Sequence, residues 1–167
     1  MSRDDTAKEI VQGILLREAR VLDERAWADW LALYHVDAVY WVPAWESEDR
    51  QITDPLRAVS LIYHPSRQGL EERVMRVRSR QSVTALPLPR TTHLISNIEL
   101  EDAGPEQIRA RAAWVVHFYQ PRTTEQGMHH GRCAVTLRRQ NDEWRIAQKT
   151  IHLMNDCVNA VLDFYLL

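Results

Sequence analysis

No stretch of this sequence approaches the ~20 consecutive apolar residues of a membrane-spanning helix, so no membrane is expected as its partner. Its start, Met1-Ser2-Arg3-Asp4-Asp5, has neither an apolar core nor a small-residue cleavage site and does not read as a signal peptide. Glycine is scarce, with five in the whole chain and none grouped, which leaves no phosphate-binding loop and no dinucleotide fingerprint. The two cysteines, Cys133 and Cys157, carry no sign of an oxidising compartment that would pair them. Both are expected to be reduced and buried, in a cytoplasmic protein. An excess of one charge is missing too: 21 basic and 23 acidic side chains give a formal net charge of -2. Such a balance supplies no field to attract nucleic acid. Seven histidines include no His-x-x-x-His element, and adjacent His129 and His130 would face opposite sides of a strand. No metal is expected on this chain.

What is present reads as one domain spanning 1–167, with 45% hydrophobic and 26% charged residues. Thr6 and Glu9 have capping-box spacing, and behind them Ile10, Val11, Ile14, Leu15, Val21 and Leu22 recur at helical intervals. Asp23 and Glu24 look like the start of a second helix carrying Trp27, Trp30, Leu31 and Tyr34 on one face. Residues 38–42 predict a short buried strand that Pro43 stops. From 44 to 66 three breakers defeat any period, although Leu61-Ile62-Tyr63 suits a strand or a helical turn. A third, amphipathic helix is expected from Gly69 to Arg80, with Leu70, Val74 and Val77 inward and Glu72 placed to pair with Arg76. A Pro-containing link, Ala85 to Pro89, leads out of it.

The period then changes to two. Leu94, Ile98 and Leu100 mark one strand, 108–118 a long one, Cys133, Val135 and Leu137 a third, and Trp144 to Leu153 the last. In the last strand the apolar phase shifts between Ile146 and Ile151, which predicts a β-bulge. Helices first and an antiparallel meander afterwards define an α+β domain, helices packed on one face of a curved sheet.

Several side chains invite a chemical reading. His35 and Asp37 could form an acid/base pair, but a His near a helix end more often bonds local carbonyls. His117, Tyr119 and Arg111 share a strand face that suits a solvated or interfacial surface. Trp27, Trp30 and Trp114 sit on core-facing stripes and read as packing residues rather than ligand contacts. Arg73, Arg76, Arg78 and Arg80 form a charge run open to solvent or to intersubunit salt bridges. The closing residues Val158, Val161, Leu162, Phe164, Tyr165, Leu166 and Leu167 are apolar to the last position, where chain ends are normally polar. They either close the chain's own fold or are buried against a neighbouring subunit, and the second is favoured.

The order of elements and a series of local strings resemble the beta (small) subunits of aromatic-ring-hydroxylating dioxygenases. The strings include Leu22-Asp23-Glu24-Arg25-Ala26-Trp27, Trp30-Leu31-Ala32-Leu33-Tyr34, residues 37–45, Asp54-Pro55, Ser60-Leu61-Ile62-Tyr63 and residues 69–74. They continue with Pro89-Arg90-Thr91, His93-Leu94-Ile95-Ser96-Asn97, Asn155-Asp156 and Asp163-Phe164-Tyr165. Pro43-Ala44-Trp45 and the Asp163-Phe164-Tyr165 ending are more similar to the benzoate, toluate and anthranilate group than to the biphenyl and naphthalene group. Met128-His129-His130-Gly131 departs from the pattern, since relatives usually carry an aromatic residue before that glycine.

This resemblance implies the cone-shaped fold of nuclear transport factor 2. It also implies a non-catalytic structural subunit with no cofactor of its own, in an enzyme that cis-dihydroxylates an aromatic ring. The partner large (alpha) subunit would carry a Rieske [2Fe–2S] cluster and a mononuclear Fe(II), three small subunits assembling as a trimer with three large ones. In agreement, the chain has no Cys-x-His or Cys-x-x-His pair from which to build such a cluster. Subunit contacts are expected at Arg73, Arg76, Arg90, His93, Asn155, Asp156, Phe164, Tyr165 and Leu167. Two alternatives stand beside this reading: a free-standing dehydratase or isomerase of the same cone fold, and a small-molecule binding module.

Overall fold

The computed structural model describes residues 2–80, 86–155 and 162–167. Its first helix, α1 (Arg3–Asp23), begins earlier than Thr6: Ser2 is the N-cap, its hydroxyl accepting from the Asp5 N–H while the Asp5 carboxylate accepts from the Ser2 N–H. Thr6 lies inside the first turn. Ala7, Val11, Leu15, Glu18 and Leu22 are buried at helical spacing, so the inward stripe includes one carboxylate.

Asp23 ends α1 rather than opening the next helix. Arg25, at φ 57°, turns the chain, and α2 (Trp27–Ala32) follows, burying Trp27 and Trp30. Tyr34 already belongs to β1 (Tyr34–Pro43). The ambiguous Leu61-Ile62-Tyr63 string is β2 (Ser60–His64), paired antiparallel with β1. Next comes α3 (Arg67–Arg78), two residues earlier than its apolar stripe suggests, with Leu70 and Val74 buried. Its ion pair joins Arg67 to Glu71, while Glu72 accepts a hydrogen bond from Gln68.

The rest is sheet: β3 (Arg90–Ala103), β4 (Gln107–Gln120), β5 (Glu125–Gln140) and β6 (Glu143–Leu153). Spatial order is β2-β1-β6-β5-β4-β3. All pairs are antiparallel except β1 with β6, where the first strand returns beside the last.

Two of the sheet's register shifts decide which side chains of β6 and β3 face the helices. In β6 the expected phase shift falls at Ala147, opposite the step from Thr136 to Leu137, so Ile146 faces inward before it and Lys149, Ile151 and Leu153 after it. In β3, Asn97 at φ 51° occupies an extra position between Ser96 and Glu99. His93 and Ile95 therefore share the inner face with Ile98 and Leu100 although the count changes from odd to even. Leu94, expected inward, is 54% exposed. Bulges of this kind bend and twist a sheet, which gives the cone its curvature.

The core lies between α1–α3 and the inner sheet face, and its aromatic centre is dense. Trp30 stacks on Phe164 at 4.4 Å and meets Tyr34 edge-on at 5.2 Å. Gly131 is required where β5 and β6 approach: a Cβ there would lie 2.0 Å from the His152 carbonyl oxygen. Trp114, on the inner face of β4, is buried with its indole N–H on the Arg132 carbonyl. Trp114→Ala should cost about 3–5 kcal/mol, the usual penalty for truncating a buried large aromatic. Urea denaturation checks this, and an unchanged midpoint would make Trp114 peripheral.

Candidate functional site

Polar side chains gather inside the cone around Glu18 and Lys149, two positions the sequence reading did not single out. The Glu18 carboxylate accepts from the Trp30 indole N–H at 3.3 Å, the Tyr34 hydroxyl at 2.5 Å and the Lys149 ammonium at 2.7 Å. Burial, followed by the Glu18 charge, pushes the phenols of Tyr34 and Tyr40 well above their ordinary range. Neither phenol can act as an acid or base near neutrality. Burial likewise raises the Cys133 thiol, which suits an inert packing cysteine.

A second interior pair lies where α1 meets β3. Asp23 accepts from the His93 ring at 2.6 Å, the His93 backbone N–H at 3.0 Å and the Thr91 hydroxyl at 2.9 Å. His93 thus serves its own chain, tying the end of α1 to the sheet. Burial alone would raise the Asp23 carboxyl, but the bonds from His93 and Thr91 outweigh it and hold it below the usual carboxylate value. A carboxyl depressed in the folded state adds stability that is complete above its unfolded pKa, near 4, and is lost as pH falls through the folded value. Asp23→Asn should therefore be less stable than the native chain at neutral pH, the two converging in strong acid. Denaturation midpoints measured against pH check this, and a constant gap would contradict it.

The His35–Asp37 pair weighed as an acid/base alternative does not assemble inside. Both residues lie on β1, not at a helix end, with 3.9 Å between ring and carboxylate and Asp37 largely in water. The Asp37 backbone N–H donates to His35 Nδ1 instead. His129 and His130 do face opposite ways: His129 is buried and donates from Nδ1 to the Leu166 carbonyl at 2.9 Å, while the His130 N–H meets the Asn155 side chain. Among the described residues no three His, Cys, Asp or Glu side chains are grouped to hold a metal.

The proposed contact residues divide into two sets. Phe164, Tyr165, Leu166 and Leu167 are buried in the chain's own core, against Trp27 and Trp30, so these four residues form no exposed apolar tail. For these four residues this is the arrangement in which the chain's end packs into its own cone. Arg73 reaches Asp163 at 3.9 Å, and burial raises the Asp163 carboxyl even though the Phe164 N–H and Arg73 pull it down. Burial also moves the Tyr165 phenol up to about 12. His93 is internal, as described.

The second set is open. Arg76 is exposed on α3, and Arg90 is exposed at the start of β3 with its guanidinium over the Tyr119 ring. Arg90, His117, Tyr119 and Met128 line an open groove of about 420 Å³, and the Asn155 amide bonds the Met128 carbonyl at its edge. Arg111, further along the face of His117, pairs with Glu99 and Glu101. Asp156 lies outside the described residues, as do Val158, Val161 and Cys157.

Comparison with known proteins assigns this cone to a family. The family described as "Ring hydroxylating beta subunit" matches residues 17–160. The chain belongs to the ring-hydroxylating dioxygenase beta subunits. It is similar to the 2-halobenzoate 1,2-dioxygenase small subunit of Burkholderia cepacia, with 39% identity over 93% of both chains. Identity to the benzoate 1,2-dioxygenase beta subunit of Acinetobacter baylyi is 36%, over 97% of this chain and 95% of that one. The crystal structure of the benzoate 1,2-dioxygenase beta subunit of Burkholderia mallei shares the fold at a TM-score of 0.78, with 34% identity over 94% and 95% of the two chains. As a beta subunit the chain has the expected cone-shaped α+β fold, and it is the non-catalytic component of an oxidoreductase. No described helix is long and apolar enough to cross a membrane.

Proposed function

We propose that this chain is a structural buttress in a cytoplasmic dioxygenase, assembled as three small and three large subunits, in which the large subunit carries the Rieske cluster and the mononuclear iron. The observation that carries this reading is how little space the described residues leave between the helices and the inner sheet face beside the buried Asp23–His93 pair. The cavity beside His93 measures about 10 Å³, whereas small-molecule sites usually enclose roughly 300–1,000 Å³. An Asp–His pair with no room for a substrate does not make a dehydratase. The relatives compared above are named for benzoates, which favours a benzoate-type aromatic acid as the substrate of the whole assembly.

The outer groove supplies the contact surface. Met128 is 50% exposed and Leu94 54% exposed on the same sheet face as His117, and Arg90 borders them, an apolar patch beside a cation suited to a protein neighbour. Asn155 at its edge belongs to this proposal, whereas Arg73, Phe164, Tyr165 and Leu167 would act only by holding the cone in shape. Arg76, on α3, would join a separate contact. The double variant Arg90→Glu/Met128→Asp should keep its circular-dichroism spectrum and lose at least about tenfold in affinity for its partners. Unchanged co-purification with the large subunit would remove this face from the assembly. The functional reading itself is tested by turnover: benzoate should be consumed only when small subunit, large subunit and reductase are combined. Consumption by the isolated chain would overturn it.

A further inference from the structure

Among the described residues His93 Nε2 is a buried nitrogen without a hydrogen-bond partner, and the His93 side chain is only 3% exposed. Its other ring nitrogen is committed to Asp23 at 2.6 Å, so Nε2 is the atom the ring has left to offer. Buried polar atoms are nearly always satisfied by protein or by ordered water, and each exception asks for an occupant. His93 lines the small internal cavity together with Glu18, Trp114, Cys133, Lys149 and Leu167. At about 10 Å³ that cavity has room for one water and nothing larger.

Size alone does not wet a cavity, because apolar voids stay dry and a buried water needs two or more polar partners. Two are present. Lys149 carries three N–H donors, and one of them is used by Glu18 at 2.7 Å. His93 Nε2 can accept in the neutral ring or donate in the imidazolium, and a water serves either state. No described side chain does the same work, since none, Glu18 included, comes within hydrogen-bond reach of His93 Nε2.

We infer that a single structural water occupies this cavity, bonded to His93 Nε2 and to Lys149 Nζ. It joins two pairs into one network running from Asp23 through His93, the water and Lys149 to Glu18 and Tyr34. Asp23 and Glu18 both lie on α1, His93 on β3 and Lys149 on β6. The network therefore leaves α1 at Asp23, crosses the sheet and returns to the helix at Glu18, with Tyr34 on β1 beyond it, fastening α1 over the cone with bonds that a purely apolar contact would not orient.

The test is a crystal structure of the native chain, alone or in its complex, at a resolution that shows ordered waters. One density peak should lie about 2.7–3.2 Å from His93 Nε2 and within similar reach of Lys149 Nζ. Empty density at Nε2, or Nε2 bonded directly to Lys149, would overturn the inference. Nuclear magnetic relaxation dispersion of native protein in solution gives an independent reading: a long-lived internal water should be counted and should vanish in His93→Phe. Should that variant fail to fold, the native measurement still decides, because a native count of zero excludes the water.

Discussion

Deleting residues 162–167 should unfold this chain rather than release a folded subunit from its partners. Phe164, Tyr165, Leu166 and Leu167 are all nearly inaccessible, and Phe164 forms one layer of the aromatic stack with Trp30. Burying a large apolar side chain contributes about 1.5–3 kcal/mol. Four such residues together rival the whole stability of an ordinary domain, about 5–15 kcal/mol. Their removal also strands the His129 ring, which loses the Leu166 carbonyl. Circular dichroism of the truncated chain should show loss of cooperative unfolding. A truncated chain that melts normally and only fails to assemble would return these residues to an interface.

A comparably large effect is expected at the buried ion pair. Lys149→Met leaves the Glu18 carboxylate in the core with two neutral donors and no counter-charge, which should cost about 3–5 kcal/mol. Adding Glu18→Gln removes the stranded charge while keeping an acceptor for Tyr34 and Trp30, so the double variant should recover a large part of that loss. The sign of this recovery is the informative quantity in the double-mutant cycle. Equal or greater destabilisation in the double variant would mean that the pair does not act as one unit, and an unchanged Lys149→Met midpoint would mean that water reaches it.

These two regions also show what the sequence makes legible. Local periodicity locates α1, α2, α3 and the strands of the meander, because each buries one face and the repeat is written within ten or fifteen residues. The β6 bulge can be read from a change of phase, and Trp27, Trp30 and Trp114 from their place on apolar stripes. Asn97 is harder: its bulge reverses the inward count in β3, and Leu94 looks buried until the extra residue is known.

Pairs that are distant in sequence leave fainter marks. Asp23 and His93 are 70 positions apart, and Glu18 and Lys149 are 131 apart, so no spacing rule connects them. The second pair nevertheless leaves a local sign at each of its residues. Glu18 interrupts the stripe of Val11, Leu15 and Leu22, and Lys149 falls in the inward phase of β6 beside Ile151 and Leu153. A charged residue on a buried stripe asks for a partner of opposite sign elsewhere on such a stripe. The closing residues are ambiguous for a different reason. Apolar character predicts burial equally well against the chain's own core or against a neighbour, and only the position of Trp27 and Trp30 decides between them.

The role as a structural subunit meets its most direct test in native mass spectrometry of this chain co-expressed with its large subunit. A complex of three small and three large chains, with iron only on the large chains once they are separated, is the predicted result. A small chain that remains unassembled in the presence of a folded, iron-loaded large subunit, or that itself retains iron, would contradict it.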